Sequence, residues 1–193
     1  FWNYPTTGTG FHSYNHGTYG TLSANFGNTT YNWSSMANHL TGANSSVATL
    51  MYHCGVSIDM NYGPASTGGS GAYVIVAASP TSVCVETALK TYFGYATTLQ
   101  GLLRSSYTNT AWIQLLKTEL NNGRPLQYAG FGQGGHTFVC DGYDNNNFFH
   151  FNWGWGGLYD GYFDIDNLNP GTGGTGGGAG TYNQGQQALI GIK

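Results

Sequence analysis

Apolar side chains recur in two rhythms along the chain, and the rhythm changes near Pro125. Before it the spacing is helical. Val47, Leu50, Met51 and Cys54 fall at i, i+3, i+4 and i+7, which predicts a short helix that Gly55 stops, with Cys54 on its apolar face. Val85, Ala88, Leu89 and Tyr92 predict a second helix, stopped by Gly94. Trp112, Leu115, Leu116 and Leu120 share a face of a third, which runs from about Thr110 to Asn122-Gly123. Between the first two lies a turn-rich segment, 63–71, and then an apolar run, 72–78, that fits a strand or a helix start equally well. Residues 1–45 are polar, aromatic and rich in turn formers, and predict no element.

After Pro125 the period becomes two. Segments 126–130, 137–140, 148–153, 162–165 and 188–192 read as successive strands joined by Gly, Asn and Asp turns. Helices first and strands afterwards predict an α+β fold, with an antiparallel sheet in the C-terminal half and a few short helices. The 193 residues suit one domain with one substantial core. A glycine-rich segment, 171–180, lacks the Lys-Ser/Thr ending of a phosphate loop and opens no helix, so it reads as a flexible loop.

Charge changes the picture by what it excludes. Charged residues make up 7% and the net charge is −3, which argues against a nucleic-acid or anionic-membrane partner. No apolar run is long enough to span a bilayer. Aromatic residues at 16% argue for a packed core despite 32 glycines. The three cysteines, Cys54, Cys84 and Cys140, have apolar neighbours and read as buried free thiols; neither a zinc spacing nor any cofactor motif accompanies them. The chain starts at Phe1 without a methionine or a signal sequence and reads as a processed or truncated piece.

The candidate chemistry lies in 134–157. His136 follows two glycines, and a hairpin loop at 141–147 separates its strand from one that holds Asn152, Trp153 and Trp155. Pairing symmetric about Asp144 sets His136 opposite Asn152. Directly opposed residues have Cβ atoms roughly 4.5–5.5 Å apart. At that distance the Asn carboxamide oxygen accepts one ring N–H, which fixes the tautomer and leaves the other nitrogen free to carry a proton. On the same parity His150 points to the side of His136, nearer the turn, and reads as structural. Trp153 and Trp155 shield an imidazole hydrogen bond or simply pack the core.

The motifs Gly-Gly-His-Thr-Phe-Val-Cys-Asp-Gly and Phe-His-Phe-Asn-Trp-Gly-Trp-Gly-Gly resemble the streptopain family of papain-like cysteine peptidases, to which interpain-like enzymes belong. The likeness extends to Tyr31-Asn32-Trp33, to Gly55 through Pro64, to Ala88-Leu89-Lys90 with Phe93-Gly94-Tyr95, and to Leu168-Asn169-Pro170. It covers nearly the whole chain.

The resemblance implies a papain-like fold and a secreted bacterial endopeptidase that acts on protein or peptide substrates. It also implies an inhibitory propeptide in the precursor, and neither metal nor cofactor. It makes His136 the general base paired with a cysteine thiolate, with Asn152, or else Trp153, orienting the imidazole. Gly135, Ser70 and Trp155 become substrate contacts, Ser70 matching better than Ser66. The family's nucleophilic cysteine opens a helix whose end resembles 1–5, so the resemblance places it upstream of Phe1. Cys140 stands four residues along a strand from His136, roughly 13 Å away, out of hydrogen-bond reach. Cys54 and Cys84 belong to helix faces. The chain alone is then expected to be inactive. The alternative is a noncatalytic peptide- or carbohydrate-binding protein that kept an aromatic cleft and lost the nucleophile.

Overall fold

The computed structural model describes residues 4–171 and 180–193. Most of the glycine-rich 171–180 segment, with the loop expected there, lies outside the described residues. The chain forms two compact units, one of residues up to Pro64 with Ser70–Tyr95, the other of Ala65–Gly69 with Ala96–Lys193.

In the first unit, β1 (Phe11–His16) and β2 (Gly20–Asn25) pair antiparallel from Phe11↔Asn25 to His16↔Gly20. No periodic signal in the sequence marks this hairpin. Its alternation is carried by His12, Tyr14 and His16 rather than by aliphatic residues, so it blends into a polar stretch. The tight turn is held by His16, whose Nδ1 accepts the N–H groups of Thr18 (3.1 Å) and Tyr19 (3.2 Å).

Helix α1 spans Ser45–Val56, and the Asn44 side chain caps it by accepting the Val47 N–H at 3.0 Å. Two expectations fail here. Gly55 does not stop the helix; it lies within the last turn, where a Cβ would collide with the Tyr62 hydroxyl. Cys54 is exposed, because the face turned into the core carries His53 and Val56. Residues successive on a helix point about 100° apart, so burying His53 leaves Cys54 outside. His53 accepts or donates a hydrogen bond with the Tyr31 hydroxyl at 3.0 Å, and the Phe26 and Tyr31 rings meet it edge-on at 5.3 and 5.8 Å.

The apolar run 72–78 is neither strand nor α-helix. Val74 and Ile75 are buried in extended backbone, and a 3-10 turn, Val76–Ala78, follows. Helix α2 (Val85–Thr91) begins after Cys84 and is anchored by Glu86, a buried carboxylate that accepts the Val76 N–H at 2.9 Å.

Among the described residues the second unit is a six-stranded antiparallel sheet with one α-helix. The strands are β3 (Gln100–Leu103), β4 (Leu126–Phe131), β5 (Gly135–Tyr143), β6 (Phe149–Asn152), β7 (Gly161–Phe163) and β8 (Gln184–Ile190), in the spatial order β3-β8-β4-β5-β6-β7. Helix α3 (Asn109–Asn121) starts under the Thr108 hydroxyl and ends before Gly123, which takes φ +69°. It buries Trp112 and Leu116 with Tyr128, Phe138, Phe149, Phe151 and Trp153, a core far more aromatic than aliphatic. All five strands expected after Pro125 are present with shifted ends; β3, too short for its period to register, was not foreseen. The architecture is α+β.

Candidate active site

Strand β5 alternates cleanly. Phe138 and Cys140 are buried, while Thr137, Val139 and Asp141 face outward. His136 shares parity with Phe138, so its ring turns to the aromatic core and is half-buried there. Trp155 stacks on it with centroids 5.0 Å apart and 21° between planes. Phe138, Tyr182 and Trp153 complete the surroundings at 5.6, 5.4 and 6.5 Å.

The expected pairing of His136 with Asn152 does not occur. Val139 pairs with Asn152 and Cys140 with Phe151, and after a bulge Gly142 pairs with His150 and Tyr143 with Phe149. Strand β5 continues through Tyr143, so the turn is shorter than expected; the partners of Asn152 and Phe151 move by three positions, and those of His150 and Phe149, beyond the bulge, by four. An odd shift exchanges faces. Asn152 therefore lies on the outer face of the sheet, and His150, which alternates with buried Phe149 and Phe151, lies there too, its Nδ1 2.6 Å from Asp141. His136 is left near Trp153 and Trp155.

Its partner is a backbone group. His136 Nε2 stands 2.8 Å from the carbonyl oxygen of Trp153. A carbonyl only accepts, so Nε2 carries the proton and the neutral ring keeps its lone pair on Nδ1. Burial among aromatic rings lowers the pKa of His136, and the bond to the Trp153 carbonyl, which favours the imidazolium, opposes that.

The segment after β6 presents that carbonyl. Trp153 is fully buried, and its N–H donates to Asp160 Oδ1 at 2.9 Å. Asn152 Oδ1 accepts the Gly154 N–H at 2.9 Å. Gly154, Gly156 and Gly157 all take positive φ, as does Tyr159 at +63°, a conformation unfavourable for a residue with a Cβ. Asp160 and Tyr182 join the site without being among the residues that the sequence pattern singles out. A carboxylate is itself a signal in a chain with eight acidic residues; nothing in the sequence points to Tyr182.

The other expected residues fall as follows. Gly135 is exposed, and a Cβ there would meet the Phe131 ring at 2.8 Å. Trp155 is 9% exposed and spends its ring on His136. Ser70, in the first unit, is exposed; its Oγ accepts the Gly63 N–H at 3.3 Å, in a loop closed by the Asn61–Gly71 bridge. Cys84 and Cys140 are buried free thiols, and burial raises the Cys140 thiol strongly. Cys54 is exposed, yet enough protein surrounds its sulfur to raise the thiol to about 11. Among the described residues no His, Cys, Asp or Glu cluster could hold a metal, and no helix is long and apolar enough to cross a membrane.

Known proteins resemble this chain. The chain is similar to streptopain of Streptococcus pyogenes, 43% identical over 169 residues, which are 84% of this chain and 40% of that protein. It is 38% identical over 191 residues to the thiol protease/hemagglutinin PrtT of Porphyromonas gingivalis, covering 96% of this chain and 20% of that one. The chain thus spans less than half the length of these curated relatives. Active wild-type interpain A, a cysteine protease of Prevotella intermedia, superposes with a TM-score of 0.83 at 37% identity, over 99% of this chain and 77% of that one. A prointerpain A fragment gives 0.78 at 38% identity, over 99% and 58%. The fold is therefore the papain-like fold of interpain. The Peptidase C10 profile matches residues 1–163, and the chain belongs to the peptidase C10 family of cysteine peptidases, with streptopain and interpain as homologues.

Proposed function

We propose that this chain is part of a secreted cysteine endopeptidase in which His136 is the general base. The observation that carries the reading is the commitment of Nε2 to the Trp153 carbonyl at 2.8 Å, which leaves Nδ1 as the basic nitrogen. Nδ1 takes the proton of a cysteine thiol, and the thiolate attacks the carbonyl carbon of the scissile bond. The resulting oxyanion collapses as the imidazolium returns the proton from Nδ1 to the leaving amine. Water then hydrolyses the thioester, with His136 again accepting a proton. Through these steps the Trp153 carbonyl holds the ring and stabilises the imidazolium.

In this reading the thiol belongs to a segment that precedes Phe1 in the whole protein, as the family resemblance implies. The raised thiols of Cys54 and Cys140 support that, since a reactive cysteine needs its thiolate near neutral pH. The two units count together as one peptidase domain. Gly135 and Ser70 contact substrate backbone, and a propeptide keeps the precursor silent. Trp155 is assigned to shielding the imidazole more than to touching substrate, because it is buried against His136.

The test is His136→Ala in the full-length protein. Hydrolysis of an unstructured peptide under reducing conditions should disappear while the fold persists. Retention of even about a tenth of kcat/KM would remove His136 from the mechanism, since a general base contributes roughly 100-fold or more.

A further inference from the structure

Asn152 turned away from His136, yet it remains connected to it. The Trp153–Gly154 peptide unit carries the carbonyl that accepts His136 Nε2–H and the N–H that donates to Asn152 Oδ1, at 2.8 and 2.9 Å. One planar amide therefore has a side chain bonded at each end. The preceding N–H, that of Trp153, is taken by Asp160 Oδ1 at 2.9 Å. Two side-chain acceptors thus grip consecutive N–H groups on either side of the Trp153 Cα.

We propose that Asn152 and Asp160 are positioning residues for the proton-transfer histidine, acting through the Trp153 backbone rather than by touching the imidazole. This rests on the reading of His136 as the base. An acceptor on an amide N–H draws electron density toward its carbonyl oxygen, so the bond from Asn152 strengthens the bond to His136. The carboxylate of Asp160 makes a charge-assisted bond to the Trp153 N–H and fixes the rotation of the segment about that residue.

An Asx-type turn at Asn152 would by itself be an ordinary structural feature. Three things set this one apart: its peptide is the one that holds His136, a carboxylate grips the adjoining N–H, and the backbone between them is otherwise unfavourable. The positive φ of Gly154 and Tyr159 would let the 153–160 segment relax if the acceptors were lost.

The experiment compares Asn152→Ala, Asn152→Asp, Asp160→Ala and Asp160→Asn in the full-length peptidase. It reads steady-state kinetics on an unstructured peptide and the proton NMR resonance of the His136 Nε2–H. Each Ala variant should lower kcat roughly threefold to tenfold, the worth of one net hydrogen bond, with KM unchanged within about twofold. The Nε2–H resonance should move upfield and exchange faster with water. The Asp and Asn variants, which retain an acceptor oxygen, should restore both readouts. Folded Ala variants with wild-type kcat and an unmoved resonance would overturn the proposal, as would conservative variants that lose as much as the Ala ones. If an Ala variant does not fold, its conservative partner decides: wild-type kcat with the resonance in place supports the clamp, and a loss refutes it. Activity surviving in His136→Ala would instead strike the reading of His136 as base, which separates the two failures.

Discussion

His136 Nε2 and the carbonyl oxygen of Trp153 are 2.8 Å apart, so the histidine is oriented by a main-chain atom and not by the Trp153 side chain. Phenylalanine at 153 supplies the same carbonyl. The Trp153 Nε1–H is also buried without a hydrogen-bond partner among the described residues, so Phe breaks no bond seen there. We expect Trp153→Phe to keep most of kcat in the full-length enzyme. Trp153→Ala should cost about 3–5 kcal/mol of stability in urea unfolding, because the site is fully enclosed. A Phe variant that is stable but loses activity a hundredfold would show that the indole has a chemical role.

Gly130 pairs with His136 across β4 and β5, and a Cβ at 130 would collide with the backbone carbonyl of Tyr182. That carbonyl is not a side-chain end that can swing aside. Gly130→Ala should therefore destabilise the second unit by about 1–3 kcal/mol and displace the Tyr182 ring from its 5.4 Å contact with His136. Thermal unfolding gives the first effect, and the fall in kcat/KM should exceed that of an exposed control such as Gly134→Ala, where a Cβ meets nothing.

Burial lowers the pKa of both His53 and His136. The unfolded chain then binds a proton at a higher pH than the folded one, so their contribution to stability is complete above the ordinary imidazole value of about 6.5. It is lost as pH falls through the two folded values. Urea unfolding should show lower stability at about pH 5 than at about pH 7, and His53→Asn should flatten the slope. An unchanged slope in that variant would mean that acid acts through other groups.

Cys54 is exposed with its thiol raised to about 11, and Cys84 and Cys140 are buried. Labelling of the native chain by a thiol reagent should reach Cys54 alone, slowly at neutral pH and faster as pH rises toward that value. Cys54→Ser should leave peptidase activity in the full-length protein unchanged. Rapid labelling at neutral pH, or loss of turnover in the Ser variant, would reopen Cys54 as a candidate nucleophile.

The three α-helices and the five later strands were legible because each depends on a local repeat. Trp112 and Leu116 face one way on any α-helix, and Phe138 and Cys140 face one way on any strand, whatever lies opposite. His136 could be singled out for similar reasons, as a titratable group beside two glycines in a strand of otherwise apolar inward positions. The β1–β2 hairpin was not legible, because its inward positions are His12, Tyr14 and His16, which read as polar. Gly55 looked like a helix stop and is instead a point of contact with Tyr62.

What pairs with His136 was decided by the tertiary structure alone. Strand register depends on where the turn closes and on the bulge between Cys140 and Gly142, and neither leaves a periodic mark in the sequence. The odd shift it produces carries Asn152 to the outer face and brings the Trp153 carbonyl to the imidazole. The family resemblance offers Trp153 as the second choice after Asn152, but residue types do not single out its carbonyl, because every residue carries one and only the folded backbone determines which is aimed at Nε2. By itself the sequence determined that an imidazole would stand among tryptophans in an antiparallel sheet. The fold decided which of its nitrogens is left free, because it chose the atom that holds the other.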